Sequence, residues 1–314
     1  MSIYTLFIIF VGIPLLGYTY QKLFEMIDKW RFPPSDYLLS IDNNDLHFSC
    51  KGNGKVAIIL EAGAGGTSKD WSYIQSDLAK EAQVFAYDRA GLGCSDSGSN
   101  PRTSSQIVAE LHQLLAAAQI TSPKIFVGHS FGGFVAQHYV RAHPNDVVGL
   151  VLVEAMHECF IDTAPVRISE LRKKELLRLK FGIFLSQFGL VRLFNLVQLP
   201  ESMPNKIKPV VNAQNLRTQT VRTLYDEAIS LEKSIEEIKN LPPVKANLPV
   251  AIISRYINPN EHTPENKHWR KIQETLSKLT TNTSMINSGS DDHFVHFTSP
   301  DLVLQTVRKL VKSL

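Results

Sequence analysis

Hydrophobic positions along this chain follow three different rhythms. Residues 3–20 form an apolar run without a charged side chain. As a helix rising 1.5 Å per residue, this run and a few flanking positions cover the roughly 30 Å hydrocarbon core of a bilayer. From residue 38 the pattern changes to short segments. Residues 38–41 and 46–50 flank the turn-forming cluster Asp42-Asn43-Asn44-Asp45 and predict an antiparallel hairpin. Residues 56–60, 84–87, 124–127 and 148–153 are continuous apolar runs, as expected of strands buried on both faces.

Helical spacing separates these runs. Thr103-Ser104-Ser105-Gln106 fits a capping box, and Ile107, Leu111, Leu114, Leu115 and Ala118 recur at helical intervals after it. A later helix starts near Gly132 and ends at His143-Pro144, because proline breaks the hydrogen-bond ladder. Alternating strand and helix implies an α/β fold with a mostly parallel sheet and right-handed crossovers. Over residues 156–246 the strand signal stops and amphipathic helices take over, which predicts an inserted helical cap. Strand pattern resumes at 248–253. A helix over 267–279, a short strand at 284–286 and a final helix from Pro300 complete the chain. The predicted organisation is an N-terminal membrane anchor over 1–30 and a catalytic domain over 31–314 that carries the cap. The stiff linker Arg31-Phe32-Pro33-Pro34-Ser35 leads into that domain.

Composition narrows the reading further. With 314 residues, 44% hydrophobic and 20% charged, the chain has the apolar content of a large globular domain and not of a disordered one. Its 33 basic and 30 acidic residues give a net charge of +3, and no basic run interleaves with aromatics, so nucleic acid is not an expected partner. Cys50, Cys94 and Cys159 lie far apart, which indicates neither a metal site nor a disulfide framework. For the N-terminal run, a retained single-pass anchor is favoured over a cleaved signal or a buried helix. The run exceeds the ~7–15 residues of a signal core, and neither a preceding basic residue nor a small-residue cleavage site is present. Lys22, Lys29 and Arg31 follow it and place the domain on the cytoplasmic side.

Candidate chemistry centres on Gly128-His129-Ser130-Phe131-Gly132. A serine between a buried strand and a helix, with glycine two residues away on each side, matches a nucleophile held on a tight strand-to-helix turn. Glu61-Ala62-Gly63-Ala64-Gly65-Gly66 follows the first buried strand with almost no side-chain bulk, which suits an oxyanion hole. Its two donors are assigned to the backbone N–H groups of Ala64 and Phe131. The segment lacks the endings of nucleotide-binding glycine loops. Asp88-Arg89, after the second buried strand, are expected to fix a loop beside the site and not to perform chemistry.

In this order the pieces resemble the α/β-hydrolase superfamily over most of residues 36–314. More narrowly, Arg31-Phe32-Pro33-Pro34, Leu46-His47, Leu60 with the loop after it, the Asp88-Arg89 loop, residues 128–133 and Leu150-Val151-Leu152-Val153-Glu154 resemble a group of often membrane-anchored, poorly characterised serine hydrolases without one agreed substrate. The resemblance implies an eight-stranded, mostly parallel sheet, a helical cap and a Ser-His-acid triad. It also implies a catalytic histidine on the loop after the last strand, seven residues before a proline, which points to His293 before Pro300. Asp292 stands where that group usually has glycine, and His296 is the alternative. At the usual place of the acid stands Asn258, an amide that carries no charge. Some haloalkane dehalogenases place the acid at the end of the strand after the nucleophile helix, and here that residue is Glu154, with Glu261 as the alternative.

These residues predict hydrolysis of a small-molecule carboxylic ester, hydrophobic or lipid-like, without metal or organic cofactor. Amide, iminopeptide or other hydrolysis on the same triad and non-catalytic ligand binding are the alternatives. The cap residues Phe160, Phe181, Phe184, Leu185, Phe188, Leu190 and Phe194 are expected to line an apolar pocket.

Overall fold

The computed structural model describes residues 2–314. A short helix α1 (Ile3–Phe7) runs through one π-helical turn, Ile8–Gly12, into α2 (Ile13–Arg31). The helix ends at Phe32, where Pro33 and Pro34 remove the donors that would continue it.

An eight-stranded sheet follows, in the order β1-β2-β4-β3-β5-β6-β7-β8. The strands β1 (Tyr37–Ile41) and β2 (Asn44–Lys51) form the expected hairpin, with Ile41 opposite Asn44. Asp42 and Asn43 make its two-residue turn at φ of 50° and 66°, a conformation that Asp and Asn tolerate better than most residues. From β3 (Ala57–Glu61) and β4 (Gln83–Tyr87) onward, through β5 (Lys124–His129), β6 (Val147–Val153), β7 (Val250–Ser254) and β8 (Thr283–Asn287), neighbouring strands pair in parallel. Each begins within a residue or two of the segment read from the apolar pattern.

Successive strand residues divide between two cores, because side chains alternate across a sheet. Ile59, Phe85, Phe126 and Leu152 pack with α4 (Ser104–Ala117), α5 (Phe131–Ala142) and α11 (Pro264–Leu276). Ile58, Val84, Ile125 and Val151 pack on the other face with α3 (Ser72–Leu78) and α13 (Pro300–Lys312), which the short α12 (Val295–Thr298) precedes. A sheet covered on both faces explains the continuous apolar runs: no strand position from Ala57 to Glu61 reaches solvent.

Between β6 and β7 the chain forms helices only: α6 (Val166–Gln187), α7 (Leu190–Leu193), α8 (Lys208–Asn215), α9 (Thr218–Ile229) and α10 (Leu231–Lys239). This cap lies over the C-terminal edge of the strands. The second half of the N-terminal helix packs against it, burying Gln21 and Asp28. The phenylalanines expected to form one apolar pocket separate. Phe160 borders one cavity, Phe181 and Leu185 border another, Phe188 touches the N-terminal helix, and Phe184 and Phe194 face outward.

Candidate active site

Ser130 is the single residue between β5 and α5, at φ 52° and ψ −120°. This is a strained backbone for any residue with a Cβ. Close packing maintains it. A Cβ on Gly128 would meet the Gly132 carbonyl oxygen at 2.7 Å, one on Gly132 would overlap the Glu61 and Ala62 carbonyls, and one on Gly133 would overlap the Ala155 side chain. The turn is tied to the next strand from both sides: Ser130 N–H donates to the Val153 carbonyl at 3.1 Å, and Met156 N–H donates to the Ser130 carbonyl at 3.1 Å.

Glu154 closes β6 one strand away, also at positive φ (47°), and its N–H donates to the Ile253 carbonyl at 2.7 Å. Two non-glycine residues at positive φ thus stand at adjacent strand ends, which marks this edge as strained. The Glu154 side chain is fully buried. Its Oε2 accepts the Arg255 backbone N–H at 2.8 Å, while Oε1 lies 3.8 Å from His293 Nδ1 and accepts no hydrogen bond among the described residues. Arg255 Nε is 3.2 Å from the same oxygen, close enough for charge attraction but not aligned as a hydrogen bond.

His293 sits on the loop after β8 and places Nε2 3.0 Å from Ser130 Oγ. Its carbonyl accepts from His129 Nε2 at 3.0 Å. A carbonyl only accepts, so His129 carries its proton on Nε2; burial, helped by the two nearby imidazoles, keeps that ring neutral, well below the ordinary histidine range. Asp292, where the resemblance led us to expect glycine, uses Oδ1 to accept the Phe294 N–H at 2.8 Å and so caps the turn that carries His293. Trp269 meets the His293 ring edge-on, with centroids 5.8 Å apart, and the Arg255 guanidinium lies over the same indole.

The alternatives lie elsewhere. His296 is buried against Trp71 and His129, and desolvation pushes its pKa down to about 3. Glu261 is exposed on the loop after β7, where its carbonyl accepts from Arg270. The structure therefore brings Ser130, His293 and Glu154 together and leaves His296 and Glu261 outside.

A cavity of about 820 Å³ opens above Ser130, lined by Ala64, Phe131, Met156, Phe160, Trp269 and His293 among others. Phe131 opens α5, where first-turn N–H groups have no intrahelical acceptor, and Ala64 lines the same cavity. The loop bearing Ala64 is fixed from below by Arg89, whose guanidinium donates to the Ala62 carbonyl at 2.5 Å and the Gly63 carbonyl at 2.8 Å. Arg89 also pairs with Glu61 at 2.8 Å and with Glu227 of the cap at 2.9 Å, all three side chains being buried. Burial would raise the Asp88 carboxyl, yet the His47 contact at 2.8 Å and the Cys94 and Ser68 amides outweigh it and hold the group below its usual range. The Asp88-Arg89 segment thus acts as the expected loop fixture. Sequence reasoning missed Glu227, Arg255 and Trp269, because none lies in a motif and only the folded chain brings them to the site.

Among the described residues one His/Asp group approaches metal-ligand spacing: His112, His143 and Asp146. Its two imidazoles stack 4.0 Å apart at 2°. Their in-plane lone pairs run parallel and do not converge on one ion.

Residues 56–303 match a family model described as the alpha/beta hydrolase fold. The chain belongs to the α/β-hydrolase family. Among α/β-hydrolases and their relatives, the uncharacterised protein YqjL of Bacillus subtilis is 24% identical over 81% of this chain and 82% of its own length. A putative carbamate hydrolase of Azorhizobium caulinodans is 32% identical over 42% of this chain and about half of that protein (49%). In three dimensions the chain is similar to the Cif epoxide hydrolase from Acinetobacter nosocomialis, with a TM-score of 0.70 at 13% identity, covering 93% of this chain and 96% of that one. An esterase from Thermogutta terrifontis gives a TM-score of 0.62 at 17% identity, over 86% and 94%. These likenesses establish the α/β-hydrolase fold and leave the substrate open.

Proposed function

We propose that this α/β-hydrolase is a serine hydrolase of hydrophobic or lipid-like carboxylic esters, with Ser130, His293 and Glu154 as a triad. The observation that carries the reading is the 3.0 Å approach of His293 Nε2 to a strained Ser130 Oγ, with a fully buried carboxylate behind the imidazole. Ser130 attacks the acyl carbon while His293 takes its proton. The Ala64 and Phe131 amides stabilise the oxyanion, and removing one such donor typically costs about 3–4 kcal/mol of transition-state stabilisation. His293 then returns the proton to the departing alkoxide, and the acyl-enzyme is hydrolysed by water with His293 again as base. Glu154 Oε1, free of other hydrogen bonds among the described residues, draws in on the imidazolium as its charge develops.

The nucleophile also narrows the reaction among those named for similar proteins. Serine attack on an epoxide or alkyl-halide carbon would leave an ether with no carbonyl for water to attack, so turnover would stop. Attack on an acyl carbon leaves an ester that water can cleave. The cavity above Ser130 is bordered by Phe131, Met156, Phe160, Leu171 and Trp269, which favours an apolar acyl chain. Residues 3–20 are read as a bilayer anchor that brings the enzyme to such substrates. A fluorophosphonate probe tests the chemistry: it labels the wild type and not Ser130→Ala. Absence of labelling in folded wild-type protein overturns the reading.

A further inference from the structure

We infer that the α6–α7 corner of the cap sits within the membrane interface beside the anchor helix and is the entrance through which an apolar substrate passes from the bilayer towards Ser130. This rests on the anchor and hydrolase readings above. Three independent observations support it.

The first is the register of the anchor against the cap. Gly17, Tyr20, Gln21, Phe24, Glu25 and Asp28 fall on one helical face. A Cβ on Gly17 would meet the Phe188 carbonyl oxygen at 2.6 Å, and one on Gly189 would meet the Tyr20 ring at 2.5 Å. Gln21 Nε2 donates to the Leu216 carbonyl at 2.9 Å, Thr218 N–H donates to Glu25 Oε1 at 3.2 Å, and Asp28 lies 2.7 Å from Arg192 Nη1. The uncharged run ends before Lys22, the first charged side chain, which places the hydrocarbon boundary in the neighbourhood of Gln21 and Lys22. Gly17 then lies about 6–8 Å inside that boundary, and Phe188 and Gly189, which pack against it, lie there with it.

The second observation is the chemistry of the corner. Residues 181–200 contain one charged side chain, Arg192, which is bound to Asp28 and lies over the Phe24 ring. Phe181 (63%), Phe184 (57%), Leu193 (60%) and Phe194 (66%) are nevertheless exposed. A patch of this kind beside an anchor matches elements that bury apolar side chains about 5–10 Å into the headgroup boundary.

The third is a second cavity of about 810 Å³, lined by Phe181, Leu185, Val191 and Leu196 at the corner and by Ala64 and Phe294 at the catalytic centre. It shares Ala64, Glu175, Arg178, Leu179 and Leu224 with the cavity above Ser130, and Glu175 and Arg178 pair with each other at 2.6 Å. The corner, the opening and the nucleophile thus lie on one path.

The full chain is reconstituted in phosphatidylcholine vesicles with brominated acyl chains, and tryptophan is added by Phe184→Trp or, as a control, by Leu314→Trp just beyond α13. That helix returns to the edge of the sheet away from the cap. Relative to the parent chain, the inference expects the extra emission of the Phe184→Trp variant to be quenched and that of the Leu314→Trp variant to be unchanged. Vesicle-bound Phe184→Trp protein whose extra emission stays unquenched overturns it, as does a corner covered by a second copy or a soluble protein. A chain that fails to float with vesicles overturns it together with the anchor reading, independently of any activity. In a second arm, Phe184→Ser/Leu193→Ser/Phe194→Ser should lose about tenfold in hydrolysis of a vesicle-embedded long-chain ester and retain hydrolysis of a water-soluble p-nitrophenyl ester. Equal loss on both substrates overturns the entrance. No hydrolysis by the wild type overturns the hydrolase reading and the entrance with it, and leaves the quenching result to decide the membrane contact.

Discussion

Glu154 and Arg255 lie side by side at the ends of neighbouring parallel strands, where one carboxylate oxygen accepts the Arg255 N–H at 2.8 Å and the other stays within 3.2 Å of its Nε. The first contact fixes the carboxylate. The second leaves Oε1 unbonded and 3.8 Å from His293, so a single buried charge faces both a guanidinium and the imidazole.

If this carboxylate is the triad acid, Glu154→Gln should lower kcat by about 10³-fold or more, since an amide cannot balance imidazolium charge. Glu261→Gln, on an exposed loop, should leave kcat unchanged. Steady-state hydrolysis of p-nitrophenyl esters by both variants decides between them, and the reverse ranking would move the assignment to Glu261.

Arg89 is the buried cation that joins the Ala62 and Gly63 carbonyls to Glu61 and Glu227. Arg89→Met leaves two buried carboxylates without their partner and should cost about 3–5 kcal/mol of stability. Freed of that clamp, the loop holds Ala64 less firmly. Denaturant unfolding should register the first effect and slower fluorophosphonate labelling of the folded fraction the second.

Burial keeps several histidines towards the neutral form: it pushes His296 down to about 3 and His138 and His157 to about 4, takes His129 well below its ordinary value and lowers His268. In the unfolded chain each titrates near 6.5. As pH falls below 6.5 the unfolded chain takes up protons that the fold refuses, so stability is full above 6.5 and declines towards pH 3–4. Asp70 opposes this. Burial raises it to about 7, so its contribution is present at low pH and is lost as pH rises through that value. Urea midpoints should therefore fall from pH 6.5 to 4.5, less steeply in His296→Phe.

Asp28→Ala removes the partner of Arg192 and should release α7 from the N-terminal helix. Hydrogen–deuterium exchange in residues 190–193 should quicken while β5 and β6 remain protected. Unchanged exchange would show that helix packing alone holds the corner.

The sequence by itself determined the strands, their parallel pairing, the tight turn at Ser130 and the glycine loop, because these depend on local features: continuous apolar runs, capping signals and backbone positions that only small residues can occupy. It also restricted the candidate base to His293 or His296 and the candidate acid to Glu154 or Glu261. Only the tertiary structure showed which of them lie near Ser130, since that distance depends on how β6, β7 and the loop after β8 converge at one sheet edge. The same convergence introduced Arg255, Trp269 and Glu227, which come from elements far apart in the chain and carry no local signal. The cap showed the limit most clearly. Helical periodicity gave the cap its helices, but whether a phenylalanine lined a cavity, met the N-terminal helix or faced outward depended on packing between helices.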